Sequence, residues 1–343
     1  MSLKTFGKKP AGKRLQKIYQ SPNYKDGSFK NLSRTVMMTG DGSMVKTMIE
    51  FLNKPKNTTP DKKLPSVLTD LKNIKSDNPT LVWFGHSSYF IKIEGKTILV
   101  DPVFSGSAAP FGLGVKSFDG SDVYKVEDFP EIDLLILTHD HYDHLDLETV
   151  LKLKPKVKQI VTSLGVGSHL SYWGFNEEIV HELDWWETAD PLKGFSITAA
   201  PARHFSGRGI KRAQTLWSSF VLQAGNWRIY IGADSGYDTH FKQIGEKFGP
   251  FDLAILESGQ YNLKWAAIHM LPEQTVQASI DLNAKVLLPV HWGKFTLALH
   301  AWDEPIERVL KEAEKLALKV TTPLIGEPIV LEESYPDKTW WRL

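Results

Sequence analysis

Between Thr138 and Asp146 the chain reads THDHYDHLD, three histidines and three aspartates in nine residues. Buried at that density without partners, such groups are costly, because their charged forms lose hydration and gain nothing in return. A bound cation offsets that cost, so the segment points to metal. In the spacing His-x-His-x-Asp-His, a tight turn can aim His139 and His141 at one point, and Asp143 and His144 at a second point nearby. Two metals about 3.5–4 Å apart would absorb the ligand charge and share a bridging hydroxide. Zinc takes about four ligands, so these four residues cannot fill two shells. Further donors are needed downstream, and His204, Asp234 and His291 are the candidates. The chain has no cysteine, which excludes thiolate ligands and disulfides and leaves His, Asp and Glu as donors.

The elements that must position these groups are short apolar runs, which read as buried strands. Six of them deliver an ionisable residue at or near the C-terminal end. TILV ends at Asp101, LLIL leads to His139, and FSITAAPAR leads to His204. RIYIGA ends at Asp234, LAIL at Glu257, and KVLLPV at His291. Helical periodicity falls between and after them, in EQTVQASIDL and in PIERVLKEAEKLALKV. In the latter Ile306, Val309, Leu310, Ala313, Leu316 and Ala317 share a face, with Asp303 as expected cap and Pro305 in the first turn. Strands and helices in mixed order imply an α/β architecture with helices covering sheets.

With 343 residues, 42% of them hydrophobic, the chain can bury a sizeable core. Charge is divided unevenly. Residues 1–75 hold 16 Lys and Arg against 5 Asp and Glu, whereas the remainder holds 25 against 35. Residues 1–78 therefore read as a basic extension folded on an acidic body formed by 79–343, or as an arm that meets anionic lipid. In MVKTMIEFL, the residues Met44, Met48, Ile49 and Leu52 share a helical face, expected to cover an apolar groove near the pocket. The acidic body fits a nucleic-acid groove poorly. No run of about 18 apolar residues is present to span a membrane. The start, MSLKTFGKKPAGKRLQ, lacks the apolar centre of a secretory signal. Together with the missing cysteine this suggests a cytoplasmic protein, with peripheral membrane contact through the basic arm as a partner expectation; a leader processed before this start is compatible with it. The sequence carries no indication of oligomeric state.

The order His-x-His-x-Asp-His, then His, then Asp, then His resembles the signature of the metallo-β-lactamase fold superfamily, over about residues 79–343. The resemblance implies a four-layer αββα sandwich of two mixed sheets. It assigns His139, His141 and His204 to one metal, Asp143, His144 and His291 to the other, and Asp234 to both. Asp101 matches an aspartate that braces a ligand from behind. Two Zn2+ are implied, with Mn2+ or Fe2+ as alternatives. His141 stands where di-iron redox variants carry Glu, which favours zinc hydrolysis.

Longer stretches resemble the N-acyl-phosphatidylethanolamine-hydrolysing phospholipase D family and its bacterial relatives. They include WFGHSSYFIKIEGKTILVDPVFS, HELDWWE, TLWSSFVL, GADSGYDTHFKQIGEKFGPFDLAILESGQY and HMLPEQTVQ with VHWGKF. Members cleave a phosphodiester, releasing an N-acylethanolamine and a phosphatidic acid. The resemblance gives His269 an active-site role near the phosphate, and Asp143 and His269 are the catalytic candidates. Lys294, Arg203 and Arg208 are close in sequence to ligands and could neutralise phosphate oxygens. His86, in FGHSS, is expected to line the pocket or pack beside it. Asp140 stands where mammalian members carry Asn. The expected function is a dinuclear zinc phosphodiesterase acting on a phospholipid or another small molecule. The alternatives are a lactonase or other ester/amide hydrolase, and a nuclease of the same fold.

Overall fold

The computed structural model describes residues 3–38, 49–51, 53–109 and 115–343. Its strands, in chain order, begin with a small hairpin in the basic extension, β1 Tyr24–Lys25 and β2 Ser28–Phe29. Then come β3 Thr80–Trp83, β4 Tyr89–Ile93, β5 Lys96–Val100, β6 Ile132–Leu137, β7 Val157–Ser163 and β8 Val180–Leu183. They are followed by β9 Thr188–Leu192, β10 Phe195–Pro201, β11 Ser218–Ala224, β12 Trp227–Ile231, β13 Leu253–Glu257 and β14 Leu287–Val290. The last strand, β15 Pro328–Val330, returns to the first large sheet. That sheet has the order β15-β3-β4-β5-β6-β7-β8, and the second β14-β13-β12-β11-β10-β9. Both are mixed. Pairing is antiparallel from β15 to β5 and parallel from β5 to β8; in the second sheet it is antiparallel from β9 to β12 and parallel from β12 to β14.

Side-chain alternation makes four layers out of these two sheets. In β6 all six residues are buried. Leu134 and Ile136 face the second sheet and join Ile197, Phe220, Leu222, Ile231 and Ile255 between the sheets. Leu135 and Leu137 face the other way, with Val150, Leu153 and Leu170 from the helices Leu147–Leu153 and Gly167–Tyr172. The outer face of the second sheet, through Val221, Tyr230, Ala254 and Leu287, is covered by the helices His240–Phe248, Pro272–Asp281 and Glu304–Lys315. A strand covered on both faces is apolar over its covered length, which is why Leu134–Leu137 reads as an unbroken run; Asp133, near the start of the strand, is instead satisfied by the Thr97 N–H and Lys158. The expected αββα sandwich is therefore present.

The helix Glu304–Lys315 has Pro305 in its first turn and buries Ile306, Val309 and Ala313 as expected, but it stops before Leu316 and Ala317. Ala317 takes a left-handed φ of 52°, which ends the helix. Asp303 occupies the cap position without a side-chain hydrogen bond there.

The basic extension lies on the body. Its helix Gly12–Gln20 places Arg14 against Glu182 and Lys17 against Glu187, and buries Ile18. Ile18 and Phe29 pack with Leu164, Trp185, Leu216 and Trp217. The expected helix over residues 44–52 lies mostly outside the described residues, which include only Ile49, Glu50 and Phe51 of it. Among the described residues no helix is long and apolar enough to cross a membrane.

Candidate active site

Because β10 and β12 are both antiparallel to β11, they run in the same sense as β13 and β14. Their C-terminal ends, with those of β5 and β6, bring the ionisable residues to one region. Asp101 follows β5, Thr138 and His139 follow β6, and His204 and Asp234 lie just past β10 and β12. Glu257 ends β13, and His291 follows β14. Three site residues have left-handed backbones, His86 (φ 52°), Asp101 (φ 39°) and His291 (φ 68°). Such conformations are uncommon for residues with a Cβ and persist where the surroundings enforce them. Here the His86 N–H donates to Trp292 O at 2.8 Å and the His291 N–H to His86 O at 2.9 Å, locking the two turns together. Gly236 is needed for another close approach: a Cβ there would collide with the carbonyl of Ala267, two residues before His269.

The donor atoms form two main groups. His139, His141, His204 and Asp234 make one, and His86, Asp143, His144 and His291 the other; within each, ligand atoms lie within 4.8 Å of one another. Asp234 is shared by geometry. Its Oδ2 is 3.9 Å from His139 Nε2 and 3.7 Å from His204 Nε2. Its Oδ1 is 3.2 Å from both His144 Nε2 and His291 Nδ1. Both Asp234 Oδ1 and His144 Nε2 are buried and lack a partner in hydrogen-bonding geometry. Lone pairs that converge without bonding to each other are what a cation between them would satisfy, so the donor set fits a metal.

Electrostatics agree. Burial holds His139, His204 and His291 well below the ordinary imidazole pKa, so they present neutral rings, the form that ligates. Burial alone would raise Asp143 and Asp234, but the neighbouring histidines, His144 foremost, keep both carboxyls well below the usual range. Burial would lower His144, yet the charges of Asp234 and Asp143 push it well above the ordinary value. The same carboxylates would hold a cation in place of the His144 proton, which leaves the His144 Nε2 lone pair to ligate it.

Behind the donors, other groups fix the rings. His144 Nδ1 is 2.7 Å from Asp101 Oδ2, and Asp101 also accepts from the Thr138 backbone N–H and hydroxyl. His139 Nδ1 is 3.0 Å from Thr138 Oγ1, and His204 Nδ1 is 2.9 Å from Ile268 O. In each ring the other nitrogen is left for the centre, the arrangement by which outer partners set a ligand's tautomer. Asn31, from the basic extension, exchanges hydrogen bonds with the backbone of His204.

A cleft of about 260 Å³ opens over these groups. His141, Asp143, His204, Asp234, His269 and His291 are among its walls, together with the apolar Met37, Met38, Phe205, Trp265, Ile268 and Leu297. His269 Nδ1 is 2.9 Å from Glu257 Oε2. Burial opposes charge on His269, but the Glu257 carboxylate raises its pKa to about 9. Glu257 also accepts from the N–H groups of Ser235 and Met270, which fixes the pair against the Asp234 loop.

Three cations expected at the substrate are elsewhere. Lys294 is fully buried, 2.9 Å from both Asp122 Oδ1 and Val103 O, beneath the loops rather than above them. Arg208 is also buried; it donates to the carbonyls of Asp140 and Leu145 and stacks on Tyr142, bracing the His-rich turn from behind. Arg203 reaches into the extension, to Thr35 Oγ1 and Arg34 O. Long cationic side chains near ligands in sequence found carbonyls and carboxylates behind the turn, where burial rewards pairing. His86, expected in or beside the pocket, packs at a tilt on the His291 ring, 4.1 Å between centroids, and lies 2.9 Å from Asp143, inside the second donor group. Sequence spacing did not single out Glu257's pairing with His269, the apolar wall, or Arg212 in the same cleft. Glu257 was legible as a strand-end carboxylate; the others are joined only by folding.

Comparison with known proteins agrees with this geometry. Residues 96–292 match the family model described as a beta-lactamase superfamily domain. An uncharacterised protein of Mycobacterium tuberculosis is 38% identical over 330 residues, 94% of this chain and 88% of its own. The N-acyl-phosphatidylethanolamine-hydrolyzing phospholipase D 1 of Caenorhabditis elegans is 30% identical over 305 residues, 82% of each chain. In fold, the chain is similar to Igni18, a metallo hydrolase from Ignicoccus hospitalis, with a TM-score of 0.54 at 20% identity over 75% of this chain and 100% of that one. With two mixed sheets, the ordered His and Asp donors at one region of strand ends, and these relatives, the chain belongs to the metallo-β-lactamase superfamily and carries the fold of its metal-dependent hydrolases.

Proposed function

We propose that the protein is a dinuclear metal hydrolase that cleaves a phosphodiester, of the phospholipase D type. The observation that carries this reading is the pairing of His269 with Glu257 on the wall of a cleft whose other side is the twofold donor set around Asp234. The first metal would be held by His139, His141, His204 and Asp234, the second by Asp143, His144, His291 and Asp234, with His86, inside the second donor group, held against Asp143. Two zinc ions bound there would supply Lewis acidity and lower the pKa of water. The chain's own residues do the rest. His269, kept protonated by Glu257, donates its proton to the departing alkoxide oxygen, and Glu257 holds the ring in the orientation this requires. The apolar wall excludes water from the leaving group and suits a substrate with a hydrocarbon part. Kinship with an N-acyl-phosphatidylethanolamine-hydrolysing phospholipase D supports that substrate class.

One observation favours a second reading. Lys294, Arg203 and Arg208 have structural partners, so three of the cations that would separate phosphoryl from carbonyl chemistry are absent from the cleft. A lactone or carboxylic-ester hydrolase needs fewer positive groups. The deciding experiment is a substrate panel on metal-loaded protein. Turnover of an N-acyl-phosphatidylethanolamine and of bis-para-nitrophenyl phosphate, with weak turnover of lactones and β-lactams, is expected. Lactones turned over at least about tenfold faster than any phosphodiester would hand the site to the second reading.

A further inference from the structure

Arg212 lines the same cleft as Asp143, Asp234 and His269, and was not among the expected substrate residues. It is exposed. Its guanidinium lies over the Phe205 ring, 5.0 Å from the centroid. Phe205 in turn packs on His141 and His204, with ring centroids 4.5 and 4.8 Å apart. The cation is thus stacked, through one aromatic ring, on two members of the first donor group. Among the described residues no carboxylate forms an ion pair with it, unlike Lys294, which is tied to Asp122.

Its loop fixes it there. The Ala213 N–H donates to Ser206 O at 2.8 Å, closing the segment 206–213 at its base, and Ala213 O accepts from the Phe29 N–H of the extension. Gly207, with φ 150°, lets the loop fold back, since a Cβ there would press on Arg212 Cα and Cγ at 3.2 and 3.3 Å. Gly209, Ile210 and Lys211 form the exposed tip, whereas Arg212 is at the neck. A stacked guanidinium at a pinned neck keeps its five donors for a ligand and loses little freedom on binding.

We propose that Arg212 recognises the anionic oxygens of the substrate, and that this residue makes the cleft selective for phosphodiesters over neutral esters and lactones. The planar fork matches two non-bridging phosphate oxygens, and the contact is charge-assisted. This rests on the hydrolytic reading of the cleft given above.

The test compares two esters with the same leaving group, bis-para-nitrophenyl phosphate and para-nitrophenyl acetate, on metal-loaded wild type, Arg212→Ala, Arg212→Lys and the tip control Lys211→Ala. Arg212→Ala is expected to lower kcat/KM for the diester roughly ten- to a hundredfold more than for the acetate, mainly through KM. Arg212→Lys recovers part of the loss, and Lys211→Ala leaves the ratio within about twofold. Equal loss on both esters, or no loss, overturns the proposal. If wild type fails to hydrolyse the diester, the phosphodiesterase reading falls separately, and Arg212 is judged by calorimetric titration with phenyl phosphate. Binding at least about tenfold weaker in Arg212→Ala supports the anion site, and equal affinity removes it.

Discussion

At the scale of single residues, Asp234 and His269 face the same cleft with different chemistry. Asp234 sends one oxygen toward His139 and His204 and the other toward His144 and His291. Asp234→Ala is expected to lose bound metal as well as rate, read by elemental analysis of the dialysed protein. His269→Gln keeps the metal and loses about two orders of magnitude in kcat, the usual scale for one general acid. Loss of metal in His269→Gln would make that residue a ligand. The pH profile carries a second expectation. The His269 pKa is raised to about 9, chiefly because the Glu257 charge outweighs burial, with Asp234 and Asp143 adding to the rise. Activity that needs the protonated ring is present below that value and lost above it. Cations at the donor groups offset Asp234 and Asp143, so in loaded enzyme the alkaline limb falls at or below about 9. Glu257→Gln removes the largest raising influence and moves the limb to lower pH. An unmoved limb would remove the pair from proton handling.

At the scale of elements, the His-rich turn is held in place by groups outside the walls of the cleft over the donor atoms. Arg208 joins the carbonyls of Asp140 and Leu145, and Asp140 accepts from the Gly207 N–H and Thr215 Oγ1 and pairs with His169 at 3.1 Å. Arg208→Met leaves two buried carbonyls without that donor. It should lower unfolding free energy by about 2–4 kcal/mol in urea titration, with little change in KM at a temperature where the variant is folded. A large KM effect at unchanged stability would return Arg208 to the substrate. Its role was not legible in the sequence: Arg208 sits four residues past His204, but Tyr142 and Trp173, on whose rings it lies, come from two other segments of the chain.

At the scale of the whole molecule, the basic extension is part of the folded body. Ile18 is completely buried against Leu164, Trp185 and Trp217, and Asn31 brackets His204. Ile18→Ala should therefore cost roughly 2–5 kcal/mol, measured by urea unfolding of the full chain. The ion pairs of Arg14 and Lys17 are partly exposed, so added salt should matter far less than that single truncation. A loss below about 1 kcal/mol would make the extension a loosely tethered arm. Charge asymmetry was visible in the sequence, whereas the apolar seam under it was not, because the apolar residues of the extension are sparse and Ile18 and Phe29 meet most of their partners, Leu164, Trp185, Leu216 and Trp217, more than a hundred residues away. The fold was legible because strands covered on both faces are apolar over their covered length, as in LLIL, and because ligands follow such strands at their ends. The two donor groups were legible because metal chemistry restricts the residue types and the motif fixes four of them in one turn. The cations were not. Lys294, Arg203 and Arg208 are near ligands in sequence, but a side chain several ångströms long can point to either side of a turn. Only the tertiary packing decided that these three face carbonyls and carboxylates behind the site, while Arg212, from a folded-back loop, stands in the cleft.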